Sequence, residues 1–336
     1  MMKNKVALLF LKIVILSSPI ILLLISYIYY DPFRVIRKYS NYHKDCFVAL
    51  NRDYISTEVY LSNIQKYNYN AFIFGNSRSL AFLCNDWKKH IGKNNSTFHY
   101  DASSETLKGL TDKVKFIDNS GGKLDIALIV LDRHLLELTD YLDGALYLPH
   151  PVTRNSSWFS FETFYFKSYL SEFYFIKYID FFYTKKYKSY MKGVNETRPI
   201  EYINITNDIY LKIFDEALEE NPSKYINEHI NFYNKRDTIN KTISKPVIGI
   251  NQISYLNEIQ KVFSKQKTKY KIVIGPLYEL EYINQEDLKI LVSIFGKDNV
   301  YDFSGKNEFS RHIENFYESF HYRPKVARGI MEEIYK

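Results

Sequence analysis

The chain has 336 residues, of which 46% are hydrophobic and 17% aromatic, and its formal net charge is +7. This apolar content excludes a disordered chain, and 12 glycines and 2 cysteines exclude a collagen and a disulfide scaffold. No basic run alternates with stacking aromatics, so the sequence predicts no nucleic-acid partner. Cys46 and Cys84 lack the companions of a metal site, and whether they pair in an oxidising compartment stays open.

Residues 1–30 are predicted to form a transmembrane anchor. The stretch 13–30 carries no charge and is close to the ~18–20 residues that cross a bilayer. Tyr27, Tyr29 and Tyr30 suit a membrane interface. A cleaved signal peptide and a buried core helix are the alternatives. The length of the apolar stretch 6–30 and the lack of a small-residue cleavage site after it favour the anchor.

After a predicted juxtamembrane stalk, residues 31–68, strand and helix patterns alternate. Apolar runs predict strands at 71–74 and 126–131, and shorter patterns indicate further strands at 97–100, 270–274 and 299–303. Helical patterns lie between or after them, at 79–90, 106–119, 253–265, 286–295 and 324–335. This alternation predicts an α/β fold with a central parallel sheet covered on both faces. A site is then expected beyond the carboxyl ends of the strands.

Residues 141–245 interrupt the alternation and predict a helical insertion. Aromatic side chains crowd every helical turn of the stretch 158–190. One interpretation is a pair of amphipathic helices that pack on the core. The other is a lid or groove wall that binds an acyl or glycan chain, or a surface that lies against the bilayer.

Two short motifs carry the chemistry. The first, Phe74-Gly75-Asn76-Ser77-Arg78-Ser79, follows the first predicted strand and opens a helix. A nucleophile at Ser77 would there be exposed at a helix N-terminus, whose N–H groups favour a developing oxyanion. A phosphate-binding or purely structural turn is the alternative.

The second motif precedes the last predicted helix and contains Glu318 and His321. A carboxylate three residues before a histidine can accept its Nδ1–H and leave Nε2 free as a base for a serine. The two motifs together resemble the SGNH (GDSL-like) hydrolase superfamily. They are most similar to its membrane-anchored bacterial members, such as the D-alanyl transfer protein of teichoic acid synthesis and exopolysaccharide acetyltransferases.

This resemblance implies a three-layer flavodoxin-like SGNH fold for residues 69–336, with the insertion 141–245 outside it. It also implies that Ser77 is the nucleophile and His321 the general base, while Glu318 replaces the usual aspartate that orients the histidine. The oxyanion or substrate candidates depart from the family pattern. Ser104 stands where the family has a glycine donor, and Asp132-Arg133 replaces its asparagine motif.

Because an ionised Asp132 would repel an oxyanion, it is expected to pair with Arg78 or Arg133. One of these arginines is then free to stabilise the oxyanion, with Asn76 as a further candidate. Neither a metal nor another cofactor is needed for this chemistry.

Three functions compete. The first is a serine-dependent esterase or O-acyltransferase that acts on a cell-envelope polysaccharide or similar polymer. The second is a catalytically degenerate SGNH-fold scaffold that binds a glycan or an assembly partner. The third is a membrane scaffold whose segment 158–190 docks a multi-span membrane partner or acyl donor. Basic residues flank the anchor mainly on its C-terminal side and by themselves favour a cytoplasmic C-terminal part. Envelope acyl chemistry instead predicts a single-pass cytoplasmic-membrane protein with an extracytoplasmic catalytic domain.

Overall fold

The computed structural model describes residues 2–194 and 199–336, with side chains described from residue 6 onward. The chain divides into two compact units. The first, the anchor unit, comprises Met1–Leu50 and Ser156–Thr197. The second, the sheet unit, comprises Asn51–Asn155 and Arg198–Lys336.

The elements are numbered in chain order. The α-helices are α1 Met2–Tyr30, α2 Arg52–Tyr67, α3 Cys84–Ile91, α4 Leu107–Asn119, α5 Arg133–Glu137, α6 Pro151–Arg154, α7 Trp158–Leu170, α8 Tyr174–Thr184, α9 Lys212–Glu220, α10 Pro222–Glu228, α11 Ile250–Gln266, α12 Gln285–Phe295 and α13 Pro324–Ile334. The strands are β1 Ala71–Gly75, β2 Thr97–Asp101, β3 Ile126–Leu131, β4 Glu201–Ile203, β5 Asp208–Tyr210, β6 Lys269–Ile274, β7 Val300–Asp302, β8 Phe316–Glu318 and β9 His321–Tyr322.

A parallel sheet in the order β2-β1-β3-β6-β7 forms the centre of the sheet unit. Its five strands are those that the sequence predicted, so the α/β class with a central parallel sheet is confirmed. The register pairs Gly75 at the end of β1 with Asp101 on β2 and Val130 on β3. All five residues of β1 and of β2 are buried, as expected where both faces of a parallel sheet are covered.

Helix α13 covers one face of the sheet. Its apolar residues Val326 and Ile330 belong to a buried cluster with Ile73, Leu128 and Val273 from three neighbouring strands. The helix begins with Pro324, whose missing N–H and fixed φ suit a first helical position. This packing fixes the chain immediately after the second sequence motif.

The predicted helix at 79–90 is wrong in its first turns. Ser77–Ala81 is a 3₁₀ helix, and α3 begins only at Cys84. The Ser79 N–H and hydroxyl both donate to the Asn76 carbonyl, at 2.9 and 2.7 Å. These bonds tighten the turn to the three-residue spacing of a 3₁₀ helix.

The two units divide the chain differently from the predicted stalk and insertion. Residues 31–50 lie in the anchor unit, whereas α2 lies in the sheet unit with nine buried residues. The insertion 141–245 is divided too, since α7 and α8 belong to the anchor unit and β4 to α10 belong to the sheet unit. The sequence of α2 is polar and therefore does not indicate a buried helix. Its charged residues Arg52 and Asp53 can be buried because each forms an ion pair.

In the anchor unit, α1 is long and apolar enough to cross a membrane. Its stretch Val6–Tyr30 has 25 residues, and the 18-residue window scored within it has a mean hydropathy of 2.7. Asp31 follows directly, and its buried carboxylate accepts from the backbone N–H groups of Val35 and Arg37 and from the Tyr39 hydroxyl. These bonds order the chain beyond the helix end.

Candidate active site

Ser77 lies at the carboxyl edge of the sheet, directly after β1. A side chain at Gly75 would place its Cβ 2.8 Å from both the Val130 carbonyl oxygen and the Ser79 Cβ, so the turn requires glycine there. Asn76 then caps the 3₁₀ helix, since its side chain accepts the Arg78 N–H at 3.0 Å. Because β1 pairs with β2 on one side and β3 on the other, Ser77 stands where the strand order reverses.

Ser77 and His321 are within hydrogen-bond distance, although 244 positions separate them in the chain. The Ser77 Oγ lies 2.8 Å from His321 Nε2. His321 Nδ1 contacts the Glu318 carboxylate, whose other oxygen accepts the Phe320 N–H at 2.6 Å. The carboxylate favours the tautomer with the proton on Nδ1, which leaves Nε2 to accept the Ser77 proton. The three predicted catalytic residues are therefore brought together in a serine–histidine–glutamate arrangement.

The hairpin of β8 and β9 carries both Glu318 and His321. It is followed by Arg323, whose buried guanidinium pairs with Asp215 and Glu219 on α9, at 2.6 Å each. Since Arg323 directly follows β9, these two ion pairs restrain the position of the histidine. Glu318 is 6% exposed, whereas Ser77 and His321 are partly exposed to solvent. The arrangement thus has a buried acid and an accessible nucleophile.

Asn76, Arg78 and Asp132 form a polar cluster beside the nucleophile. The Asp132 carboxylate accepts from the Asn76 amide at 2.6 Å, from the Arg78 guanidinium at 2.8 Å and from the Leu135 N–H at 2.9 Å. Burial by itself would raise the pKa of Asp132, but the Arg78 charge and these hydrogen bonds hold it below its usual value. Asp132 is therefore ionised and paired with Arg78, one of the two partners that the sequence suggested.

Arg78 also connects the nucleophile turn to the hairpin that carries the base. Its Nε donates to the Phe320 carbonyl at 3.1 Å while its Nη1 donates to Asp132. One side chain thus joins the turn after β1, the end of β3 and the β8–β9 connection. This arrangement assigns Arg78 a positioning role.

The two remaining candidates, Ser104 and Arg133, follow β2 and β3. Ser104 has φ 49°, a left-handed conformation that glycine adopts more easily than serine. A glycine is the residue that the family pattern has at this position. Arg133 begins α5, and its guanidinium lies 3.7 Å from the Glu137 carboxylate. No contact in the described part of the chain joins either residue to Ser77, so their oxyanion roles stay predictions.

One concave surface adjoins the triad, and a second adjoins Arg78. A small apolar pocket of about 20 Å³ adjoins Ser77 and His321. Its walls are formed by residues from the nucleophile turn, from β5 and from the C-terminal motif: Leu80, Ala81, Ile209, Tyr210, Leu211, Tyr317, Tyr322 and Pro324. An open polar groove of about 300 Å³ lies by Arg78. It is lined by Asp132, Arg133, His134, Glu137, Leu277, Glu279 and Glu281.

The sequence reasoning missed a buried support beneath the nucleophile turn. Ser79 Oγ lies 2.9 Å from His99 Nε2, and His99 Nδ1 lies 3.2 Å from Asp208. Asp208 also accepts the Cys84 N–H at 3.1 Å. The available signal was a histidine inside the buried strand β2, which needs polar partners. Nothing local in the sequence pointed to Asp208 as that partner.

The described residues contain no group of three or more histidine, cysteine, aspartate or glutamate side chains that could hold a metal ion. Cys46 and Cys84 are both free thiols. No family model, curated protein sequence or solved structure matches this chain.

Proposed function

We propose that this chain is a serine-dependent acyl esterase or O-acyltransferase of the SGNH type that acts on a cell-envelope polysaccharide or similar polymer. The observation that carries the proposal is the contact of Ser77 Oγ with His321 Nε2 at 2.8 Å, with Glu318 on Nδ1. The strand order 2-1-3-4-5 within the central sheet is that of flavodoxin-like folds and supports the SGNH assignment.

The chemistry proceeds in two steps. His321 Nε2 accepts the Ser77 proton as Oγ attacks the ester carbonyl, and it returns that proton to the leaving alcohol as the acyl-serine forms. A water molecule or a glycan hydroxyl then gives its proton to Nε2 and attacks the acyl-serine, which releases Ser77 with its proton restored. Glu318 remains ionised and stabilises the imidazolium in both steps.

The pocket at Ser77 and the groove at Arg78 support a small acyl group on a polar acceptor. A cavity needs about 10–15 Å³ to hold one water molecule. The pocket of about 20 Å³ is slightly larger and suits the methyl group of an acetyl ester. The groove along Arg78, with further charged side chains, offers hydrogen-bond partners to sugar hydroxyls. Acetyl transfer to, or removal from, a glycan fits both surfaces.

A degenerate scaffold is less well supported. That alternative expects Ser77 and His321 to lie beyond hydrogen-bond distance, whereas their atoms are 2.8 Å apart. The missing asparagine donor after β3 remains its main argument, because the loss of one oxyanion donor costs ~10²–10³ in rate.

Two separate assays test the proposal. The first measures labelling by a fluorophosphonate probe, and the second uses intact-mass measurement to detect an acyl adduct after incubation of fresh protein with p-nitrophenyl acetate. The wild type and the control Ser293→Ala, an exposed serine on α12, are expected to be labelled and acylated. Ser77→Ala is expected to give neither product. Equal labelling of Ser77→Ala would remove Ser77 as the nucleophile, and an unreactive but folded wild type would favour the scaffold.

The proposed location is the outer face of the cytoplasmic membrane, with α1 as the single-pass anchor. A reporter fused after Lys336 that is active only outside the cytoplasm is the expected result. Activity only in the cytoplasm would reverse the orientation and agree with the count of basic residues around α1.

A further inference from the structure

Helices α7 and α8 pack around the C-terminal end of α1 within the anchor unit. The Tyr169 hydroxyl lies 2.7 Å from Ser26 Oγ, and the Tyr27 ring lies 5.4 Å from the Tyr169 ring. One turn later, the Tyr30 ring lies 5.3 Å from the Phe182 ring. The aromatic helices thus contact α1 from Ser26 onward.

The contact between Ser26 and Tyr169 lies where the hydrocarbon core of a bilayer around α1 would end. Residues 6–25 of α1 are exposed along nearly their whole length, with Phe10 and Leu16 at 68% and 78%. About 20 helical residues rise ~30 Å, which equals the thickness of the hydrocarbon core. If this stretch spans the core, Ser26 to Tyr30 lie at the membrane–water boundary. Helices α7 and α8 then lie at the same depth.

The same helices expose large apolar side chains that nothing in the described chain covers. Phe159 is 80% exposed and Phe173 67%, although both are fully apolar rings. Phe159 lies in the first turn of α7 and Phe173 in the turn after its last residue, so the length of α7, ~20 Å for 13 residues, lies between them and the exposed rings do not form one patch. Trp158, Ile176, Tyr183, Tyr187 and Tyr190 are exposed as well.

Charged groups of the same segment, residues 158–192, match the headgroup layer. The segment after α8 reads Lys185-Lys186-Tyr187-Lys188, and all four residues are exposed. Lysine side chains that extend to headgroups beside tyrosine rings are typical of a membrane interface. The exposed Glu172 carboxylate lies 3.7 Å from the Lys177 ammonium, and this ion pair would keep the α7–α8 turn out of the hydrocarbon.

We propose that residues 158–192, the aromatic collar, lie in the headgroup layer of a lipid bilayer around the end of α1. Phe159 and Phe173 reach the boundary with the acyl chains. A multi-span protein partner is the competing occupant. Lipid is the better occupant for two reasons. The exposed rings are spread out rather than gathered in one contact patch, and their helices contact α1 where its exposed apolar stretch ends, at Ser26. This inference is independent of the chemistry proposed for Ser77.

Fluorescence quenching of the full-length protein in lipid nanodiscs tests the collar. Trp158→Phe leaves Trp87 as the native tryptophan, and Trp87 is fully buried, with its indole N–H on the Tyr335 hydroxyl. Phe173→Trp is then added, and Phe159→Trp in a second variant. Lys44→Trp, at an exposed polar position of the same unit, is the matched control.

Lipids brominated near the headgroup end of their acyl chains are expected to quench Phe173→Trp and Phe159→Trp about twofold, because an interfacial side chain reaches ~5–10 Å into the bilayer. Lys44→Trp is expected to respond to aqueous iodide instead. Quenching of both collar variants by iodide but not by bromolipid would overturn the inference, and would favour a protein partner that lipid nanodiscs lack. Circular dichroism confirms that each variant is folded.

Discussion

The substitution Glu318→Gln tests the tautomer argument most directly. Glu318 uses one carboxylate oxygen for His321 Nδ1 and the other for the Phe320 N–H. A glutamine has one acceptor oxygen and one donor NH₂, so it cannot serve both partners. If the oxygen keeps the Phe320 N–H, the NH₂ faces His321 and forces its proton onto Nε2, which can then no longer accept the Ser77 proton.

This geometry gives an expected magnitude. Placing a triad histidine in the wrong tautomer lowers the rate by ~10⁴, which corresponds to about 5–6 kcal/mol of transition-state stabilisation. The opposite amide orientation restores the tautomer. However, it leaves the NH₂ against the Phe320 N–H in a buried position, at a cost of about 1–3 kcal/mol. Acylation is expected to be slower in this second orientation too, because a neutral amide stabilises the His321 imidazolium less than the Glu318 carboxylate does.

The assay is the second-order rate of fluorophosphonate labelling, measured from pH 6 to pH 9. Glu314→Gln is the matched control, because Glu314 contacts a histidine too, His312 at 3.4 Å, but at a half-exposed position with no contact to Ser77 in the described chain. We expect the control to label at the wild-type rate and Glu318→Gln to label at least about 100-fold more slowly. Wild-type labelling by a folded Glu318→Gln would refute the orienting role of Glu318.

Three further outcomes are expected. Ile209→Ala enlarges the small pocket, so the rate ratio of p-nitrophenyl butyrate to p-nitrophenyl acetate should rise about tenfold. Butyrate has two more CH₂ groups than acetate, and each contributes about 0.8 kcal/mol when it is buried. An unchanged ratio would contradict the assignment of this pocket to the acyl group. Asp208→Asn replaces one of the two acceptor oxygens that serve His99 and the Cys84 N–H with an NH₂ donor, and should lower the free energy of unfolding by about 1–3 kcal/mol. Glu201→Gln, in an exposed ion pair, should lower it by less than about 1 kcal/mol. Equal denaturant midpoints for the two variants would contradict this role of Asp208. Burial raises the pKa of Glu105 from 4.5 to about 7, so the folded chain binds this proton more tightly and loses stability as pH rises through that range. Glu105→Gln should remove this loss in denaturant titrations between pH 5 and pH 8, and an unaltered pH dependence would show that Glu105 is not its source.

Local patterns in the sequence were sufficient for the elements of the sheet and for the central residues of the site. The continuous apolar run of β3 and the glycine that ends β1 are local signals, and the structure forms both strands where they predict them. Ser77 and His321 follow from the same logic. A residue after β1 and a segment that opens the last helix are both expected at the carboxyl edge of a parallel sheet, although the structure forms that segment as the β8–β9 hairpin rather than as the loop that the sequence predicted.

Other features depended on contacts between distant parts of the chain. The partner of His99 lies 109 positions away at Asp208, and the next residue, Ile209, lines the pocket at Ser77. A buried strand histidine signals that a polar partner is needed, but any of many side chains could supply it. Only the packing of β5 beside the nucleophile turn selects the one that does.

The sequence by itself determined that this is an α/β protein with an N-terminal helix able to cross a membrane and two motifs suited to serine chemistry. Those properties follow from apolar periodicity and from residue types within a few positions of one another. The tertiary structure decided that Arg78 pairs with Asp132, that α2 belongs to the sheet unit, and that α7 and α8 belong with the anchor. These outcomes depend on which distant surfaces bury each other, and no local pattern encodes that choice.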